Sequence, residues 1–277
     1  MELLPPHPEG ESYLSWYGAG LGILWPGLKF FTRRDWRGTQ NLGRPGDGLI
    51  LAANHISWFD PFTFAHFVND NGRSPRFLAK ASLFDVPVGG DILSGAHQIP
   101  VDRESTDSNQ ALEHAVAAVN DGESVLIYPE GTITRDPDMW PMTAKTGTAR
   151  IALTTRKPVV PVAQWGPQEV MGPYRLEANF FPIKTMHYWA GEPVDLSDLY
   201  DEEFDSAVLA AATDRILDAI TSLLAEIRGE PIPEGRFDFK SGRREPTTGG
   251  VLASATPQPA DEANEAEESA PSHEGGS

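Results

Sequence analysis

The chain has 277 residues, with 22 basic, 40 acidic and no cysteine residues, and its formal net charge is −18. This length fits one domain with appendages. The lack of cysteine excludes disulfides, cysteine-ligated zinc, iron–sulfur clusters and thiol nucleophiles. The acidic balance argues against general nucleic-acid binding, because phosphates are neutralised by a basic face, but it allows a local basic pocket for a small phosphorylated ligand.

An apolar segment lies near the amino terminus. Residues 12–28 carry no charge, are just at the short limit for a membrane-spanning helix, and are followed by four basic residues, Lys29, Arg33, Arg34 and Arg37. No basic stretch precedes the segment, so a signal peptide is not predicted. We predict that residues 1–34 form a segment lying in a membrane interface. The alternative is an apolar helix packed on the protein's own core.

Residues 35–235 alternate between apolar runs of strand length and helical patterns. The predicted strands are 48–54, 77–83, 97–101, 124–128, 158–163 and 184–190, and the predicted helices are 61–68, 108–120, 146–155 and 203–228. This order predicts an α/β domain whose central sheet is largely parallel or mixed and is flanked by helices. After about Lys240 the chain is acidic and lacks apolar periodicity, so we predict a disordered tail over 236–277.

The first motif with chemical potential follows the strand predicted at 48–54. There the sequence reads Asn-His-Ile-Ser-Trp-Phe-Asp from Asn54 to Asp60, and Pro61 comes next. Sites form beyond the carboxyl ends of strands in α/β sheets, and a carboxylate bonded to one imidazole nitrogen prepares the other to take a proton. Asp60 before Pro61 predicts a helix N-cap, so the loop folds back onto it. The alternative is that Asp60 is only a cap and His55 a satisfied core histidine.

Three further blocks follow in order. Residues 95–103 lead a strand into Arg103, residues 128–135 read Tyr-Pro-Glu-Gly-Thr-Ile-Thr-Arg, and residues 160–162 read Val-Pro-Val. Together with residues 54–60, they resemble the glycerolipid acyltransferase family of the PlsC type. Its hallmarks are N-H-x-x-x-x-D, a block ending in Arg, E-G-T and V-P-V. The resemblance covers about residues 35–230 and implies a glycerol-3-phosphate acyltransferase-like fold.

The resemblance also assigns roles to residues. It implies that His55 is the base that deprotonates an acceptor hydroxyl and that Asp60 orients it. The residues implied in binding the glycerol-phosphate end of the acceptor are Arg103, Glu130, Gly131 and Thr132. Many members have Arg directly after E-G-T, whereas here Arg135 comes two positions later.

Other cations and several alternatives accompany this assignment. Arg135, Lys80 and Lys145 are further candidates for binding the acceptor's phosphate, since guanidinium and ammonium groups suit phosphate. Their alternative roles, and that of Arg103, are surface salt bridges. Glu130 has the alternative of a buried partner for an arginine, and Thr132 that of closing a turn.

The remaining candidates are interpreted as structural. No G-x-S-x-G, H-E-x-x-H or P-loop motif occurs, so a serine hydrolase, a zinc protease and a P-loop protein have no support, and no metal site is predicted. Asn54 and Ser57 are expected to stabilise the turn. The histidines expected to be structural are His66, His97, His114 and His187. The tryptophans expected in the core or a pocket wall are Trp58, Trp140, Trp165 and Trp189.

The function implied by the resemblance is acyl transfer to the free hydroxyl of 1-acyl-sn-glycerol 3-phosphate, giving phosphatidate. The donor would be acyl-CoA or acyl carrier protein, with no other cofactor, and the expected location is the cytoplasmic face of the cell membrane, peripheral or monotopic. The alternatives are glycerol 3-phosphate or another lysophospholipid or glycolipid as acceptor, a non-catalytic lipid-binding protein, and a thioester hydrolase.

Overall fold

A computed structural model describes residues 16–101 and 108–246. The strands are β1 (Thr32–Arg37), β2 (Leu49–Ala53), β3 (Pro75–Lys80), β4 (Ile99–Val101), β5 (Ser124–Ile127), β6 (Val159–Trp165), β7 (Lys184–Ala190), β8 (Arg236–Asp238) and β9 (Arg243–Glu245). The α-helices are α1 (Trp16–Phe31), α2 (Asp60–Asp70), α3 (Gly89–Gly95), α4 (Ser108–Asn120), α5 (Gly147–Thr155), α6 (Pro167–Val170) and α7 (Ser206–Arg228). Short 3₁₀ helices cover Thr39–Leu42, Ala81–Leu83 and Ser197–Leu199.

The central sheet has seven strands in the order β1-β7-β6-β2-β5-β3-β4. β6 and β7 pair antiparallel, and the other neighbouring pairs are parallel. The sheet is therefore mixed and largely parallel, which confirms the predicted fold class. Since β2 is parallel to both β5 and β6, the carboxyl ends of these three strands meet at one edge, where the His55 loop and the Glu130 turn begin.

Helices cover both faces of this sheet. Ile50 packs into the core formed with α4, α5 and α7, whereas the next residue, Leu51, packs into the core that contains Phe64 and Phe67 of α2. Successive side chains of a strand point to opposite faces, so a strand covered on both sides must be apolar throughout. This explains the uninterrupted apolar run of β2.

The amino-terminal helix packs on the domain instead of standing apart from it. Trp25 is 1% exposed, and its ring meets that of His66 on α2 edge-on at 4.7 Å between centroids. β1 follows directly and pairs with β7, so the predicted boundary at residue 34 falls inside a strand of the sheet and is wrong. Of the helices in the described part of the chain, none is long and apolar enough to cross a membrane.

The predicted carboxyl-terminal boundary at 235 is also wrong. β8 and β9 form an antiparallel hairpin beyond it. Arg236 pairs with Asp214 of α7 at 2.5 Å, and the backbone N–H of Thr143 donates to the carbonyl of Phe237 at 3.0 Å. The packed domain therefore continues through β9. The rest of the predicted tail, 247–277, lies outside the described residues.

Candidate active site

His55 and Asp60 are brought together by the turn between β2 and α2. His55 Nδ1 lies 2.8 Å from Asp60 Oδ2, with the two side chains 12% and 0% exposed. α2 begins at Asp60 itself, and Phe59 holds the N-cap position, so the expected N-cap role of Asp60 is wrong. Its side chain points back across the loop, which produces the predicted contact with His55.

The same carboxylate oxygen organises the loop backbone. Asp60 Oδ2 accepts from the N–H groups of Ile56 at 2.6 Å and Ser57 at 2.9 Å. Burial raises the pKa of Asp60, and the hydrogen bond from His55 opposes that rise. An ionised carboxylate oxygen can only accept hydrogen bonds, so with Asp60 ionised His55 Nδ1 donates to Oδ2 and Nε2 can accept a proton.

Tyr128 supports the other side of the imidazole. Its ring stacks on that of His55 with a centroid distance of 4.1 Å and an angle of 14°. Tyr128 directly precedes the Pro-Glu-Gly-Thr turn at the end of β5. The imidazole is thus held by a ring on its face and a carboxylate at its edge. This role was not predicted, although the position of Tyr128 at a strand end beside a motif is a signal for it.

Glu130 acts on the backbone around His55. Its Oε1 accepts from the N–H of His55 at 3.0 Å and its Oε2 from the N–H of Met142 at 3.1 Å. Burial raises the pKa of Glu130 to about 8. Both oxygens are thus engaged with backbone inside the protein, and among the described residues no arginine pairs with Glu130. Glu130 is a positioning residue that fixes the His55 loop to the loop before α5.

A buried polar network lies behind the loop. The side-chain amide of Asn54 bonds the backbone of Gln164 in both directions, at 3.0 and 2.9 Å, and the Gln164 amide bonds the carbonyl of Asn54. The hydroxyl of Tyr188 bonds Gln164 Oε1 and lies 2.7 Å from Thr63 Oγ1. The network joins the end of β2 to β6, β7 and α2. Asn54 was expected to stabilise the turn, and it does so as one member of this larger hydrogen-bond network. Gln164 and Tyr188 were not singled out, although polar residues within apolar strands are a signal of such networks.

The turn after β5 carries several of the predicted substrate-binding residues. Gly131 has φ +70°, which favours glycine, and the Lys145 side chain packs over it, with Cδ and Cε 3.7 Å from where a Cβ would lie. Thr132 is half-buried next to it. Lys80 is exposed at the end of β3. Phe77, three residues earlier, pairs with Leu126 of β5, so Lys80 is level with the start of the turn that follows β5.

Of the two predicted arginines, Arg103 and Arg135, the structure describes only Arg135. Arg135 is exposed, and its guanidinium lies over the rings of Tyr174 at 4.1 Å and Phe239 at 5.2 Å. The residue before it, Thr134, donates its backbone N–H to the carbonyl of His55 at 2.8 Å, so Arg135 stands close to the His55 loop. Arg103 lies outside the described residues.

Several of the other candidates make contacts that stabilise the fold. Ser57 Oγ donates to the carbonyl of Met171 at 2.6 Å, and His187 Nδ1 pairs with Asp35 at 2.8 Å. His66 is buried, and burial lowers its pKa to about 3, so it is a neutral core residue. Trp58, expected in the core or a pocket wall, is 47% exposed and therefore not in the core. Within the described ranges, no three His, Asp or Glu side chains are grouped to hold a metal ion.

The arrangement suits one kind of chemistry. A histidine whose Nδ1 is bonded to a buried carboxylate, and whose Nε2 is left as a lone-pair acceptor, is a general base for a hydroxyl. The exposed cations Lys80, Arg135 and Lys145 lie at the same edge of the sheet and suit an anionic group on the molecule that carries that hydroxyl.

Known proteins resemble the chain over the same region. Residues 33–165 match the family described as Acyltransferase. The 1-acyl-sn-glycerol-3-phosphate acyltransferase BAT2 of Brassica napus is 30% identical over 151 residues, which is 53% of this chain but only 42% of that protein. The 1-acyl-sn-glycerol-3-phosphate acyltransferase of Bacillus subtilis is 29% identical over 176 residues, 62% of this chain and 81% of that protein.

A solved structure agrees with the fold. The crystal structure of the LPA acyltransferase PlsC from Thermotoga maritima superposes with a TM-score of 0.58 and 20% sequence identity, covering 79% of this chain and 91% of that one. The family match includes the His55–Asp60 loop, the turn after β5 and the Val-Pro-Val of β6. Over residues 33–165, the chain is similar to the glycerolipid acyltransferase family of the PlsC type, in agreement with the resemblance seen in its sequence motifs.

Proposed function

We propose that the protein transfers a fatty acyl group from acyl-CoA or acyl carrier protein to the free hydroxyl of 1-acyl-sn-glycerol 3-phosphate, giving phosphatidate. The observation that carries the proposal is the 2.8 Å contact between His55 Nδ1 and the buried Asp60 carboxylate. The names of the relatives from Brassica napus and Bacillus subtilis support the choice of acceptor.

The reaction follows from this pair. His55 Nε2 takes the proton of the acceptor hydroxyl as its oxygen attacks the thioester carbonyl carbon. A C–O bond forms, the C–S bond breaks, and the departing thiolate receives the proton from the imidazolium. Asp60 stabilises the imidazolium while it exists. The acceptor oxygen is itself the nucleophile, so the reaction needs no covalent enzyme intermediate.

The acceptor's phosphate requires cations near His55. Arg135 and Lys145 support this role through their places beside the His55 loop and the Gly131 turn, and Lys80 through its place at the end of β3. Arg103 remains proposed from the resemblance. An acceptor and a product that reside in the bilayer place the enzyme at the membrane surface, and we propose the cytoplasmic face as a peripheral or monotopic protein.

A transfer assay tests the proposal. Purified protein and labelled palmitoyl-CoA, or the acyl carrier protein thioester, are mixed with 1-acylglycerol 3-phosphate, glycerol 3-phosphate, other lysophospholipids, a lyso-glycolipid, or water alone. We expect phosphatidate from 1-acylglycerol 3-phosphate with the wild type and with His114→Ala, an exposed histidine on α4, but not with His55→Ala. Free fatty acid as the sole product, or equal turnover by His55→Ala, would overturn it.

A further inference from the structure

A row of exposed apolar side chains lies beside the candidate active site. Its members are between 40% and 82% exposed although they are large and apolar. They are Phe30 of α1, Trp58 and Phe62 around the start of α2, and Tyr174, Leu176 and Phe181 of the loop between α6 and β7. We call these six residues the aromatic face.

Ring contacts make much of the face continuous. Phe31 contacts Phe30 at 5.0 Å and Phe181 at 5.8 Å between ring centroids. Phe180 bridges Phe31, at 5.4 Å, to Phe59, at 5.8 Å, and Phe59 contacts Phe62 at 6.1 Å. Single exposed apolar residues are common on soluble proteins, but a connected set of this kind marks an interaction surface.

The rest of the face is joined to the loop that carries His55. Trp58 is three residues from His55, and its ring contacts that of Tyr174 edge-on at 6.3 Å. The Tyr174 hydroxyl donates to the carbonyl of Ile133, and Ser57 Oγ donates to that of Met171. These bonds fix the loop between α6 and β7 to both loops of the site. Whatever covers the aromatic face therefore lies next to His55.

Basic side chains border the face. Lys29 follows the apolar part of α1, and Arg33 and Lys184 stand at the starts of the paired strands β1 and β7. Arg135 lies over the ring of Tyr174, and the next residue, Arg175, is exposed. The loop from 172 to 184 contains a single acidic residue, Glu177. In a chain of net charge −18 this is a local excess of positive charge. Aromatic rings rimmed by Lys and Arg match the water–bilayer interface with anionic lipid.

We propose that the aromatic face docks on an anionic lipid bilayer and places the opening to His55 at headgroup depth. A lysophospholipid would then move from the membrane to the base without crossing water. This assigns docking to the folded domain, in addition to the segment at 1–34 expected from the sequence. The lipid identity of the substrate rests on the proposed function, whereas docking itself does not.

Vesicle co-sedimentation of the full chain tests the proposal. The vesicles contain phosphatidylcholine with or without phosphatidylglycerol, and the variant is Leu176→Ser with Phe181→Ser. Its control is Phe204→Ser, which replaces a phenylalanine that is 43% exposed and lies next to α7, the helix that packs on the opposite side of the sheet. We expect the double variant to lower the partition coefficient onto phosphatidylglycerol vesicles at least about tenfold, from the apolar area it removes.

A second readout separates docking from catalysis. Acyl transfer between short-chain, monomeric substrates should be equal in the wild type and the double variant, while transfer to vesicle-embedded acceptor falls. Unchanged vesicle binding by the double variant, or an equal loss in Phe204→Ser, would overturn the docking proposal. Absent transfer by the wild type, with the predicted binding loss in the double variant, would refute the proposed function and leave docking supported.

Discussion

Asp60→Asn tests the central pair most directly. Asp60 Oδ2 accepts three hydrogen bonds, whereas Oδ1 is buried and has no partner within the described residues. An asparagine can place its carbonyl oxygen at the Oδ2 position and keep all three, with its amide at the vacant side. The substitution therefore preserves the geometry and orientation of His55, removes the negative charge and puts an amide NH2 group at the buried Oδ1 position.

The size of the effect follows from Coulomb's law. With charge centres about 4 Å apart and an effective dielectric constant of about 20, a carboxylate stabilises an imidazolium by about 4 kcal/mol. Because each 1.36 kcal/mol changes a rate about tenfold, kcat should fall by about 10³. Burial raises the pKa of Asp60, so ionising the native carboxyl already opposes folding, and the variant should melt within about 5 °C of the wild type.

The assay is single-turnover acyl transfer at saturating donor and acceptor, compared with thermal unfolding. Asp70→Asn is the matched control, since Asp70 ends the same helix and pairs with Arg34 at 2.7 Å. It should keep kcat within about twofold. In the double variant with His55→Ala, the effect of Asp60→Asn should vanish, because the two residues act as one unit. A rate within twofold of wild type for Asp60→Asn would show that the charge of Asp60 does not stabilise the imidazolium.

Three further outcomes are expected. The raised pKa of Glu130 keeps its carboxyl protonated in the folded state up to about pH 8. Its contribution to the free energy of unfolding should therefore fall as the pH rises from about 4.5 to about 8. In denaturant titrations at several pH values, Glu130→Gln should flatten this dependence on pH, whereas the control Glu169→Gln should not. Asn54→Ala strands the buried backbone N–H and C=O of Gln164 and should lower the free energy of unfolding by about 2–4 kcal/mol, measured by urea unfolding; a loss under about 0.5 would contradict the network. A chain ending at 235 should lose most of its kcat, whereas one ending at 246 should retain it; equal activity would show that the hairpin is dispensable.

The strands that the sequence predicted are those covered on both faces. β2, β5 and β6 are continuous apolar runs because helices pack above and below them. β1 was missed because it is a polar edge strand, Thr-Arg-Arg-Asp-Trp-Arg, whose identity as a strand depends on a partner about 150 residues away. The hairpin of β8 and β9 was missed for the same reason, since its ion pairs and its backbone bond to Thr143 are not local.

The site was predictable where a motif fixes short-range geometry. His55 and Asp60 are five residues apart, and the turn between them was expected. Glu130 was named, but its role was not predicted, because its partners are the backbone N–H groups of His55 and Met142. Every residue except proline has a backbone N–H group, so the amino-acid sequence does not indicate which of these groups will donate to Glu130. Gln164 was not predicted either, because it bonds Asn54, which is 110 residues away in the sequence.

The hairpin also bears on when the protein becomes active during its synthesis. The loop that begins at Glu130 holds His55 at one end and is bonded through Thr143 to Phe237 at the other. A nascent chain whose residues 236–245 are still inside the ribosome has the motif residues exposed but lacks the far attachment of that loop. Domains form as their segments emerge, so the geometry of the candidate site is completed only after residues 236–245 have left the ribosome. The proposed acyl transfer would therefore begin only after the hairpin has packed on the rest of the domain.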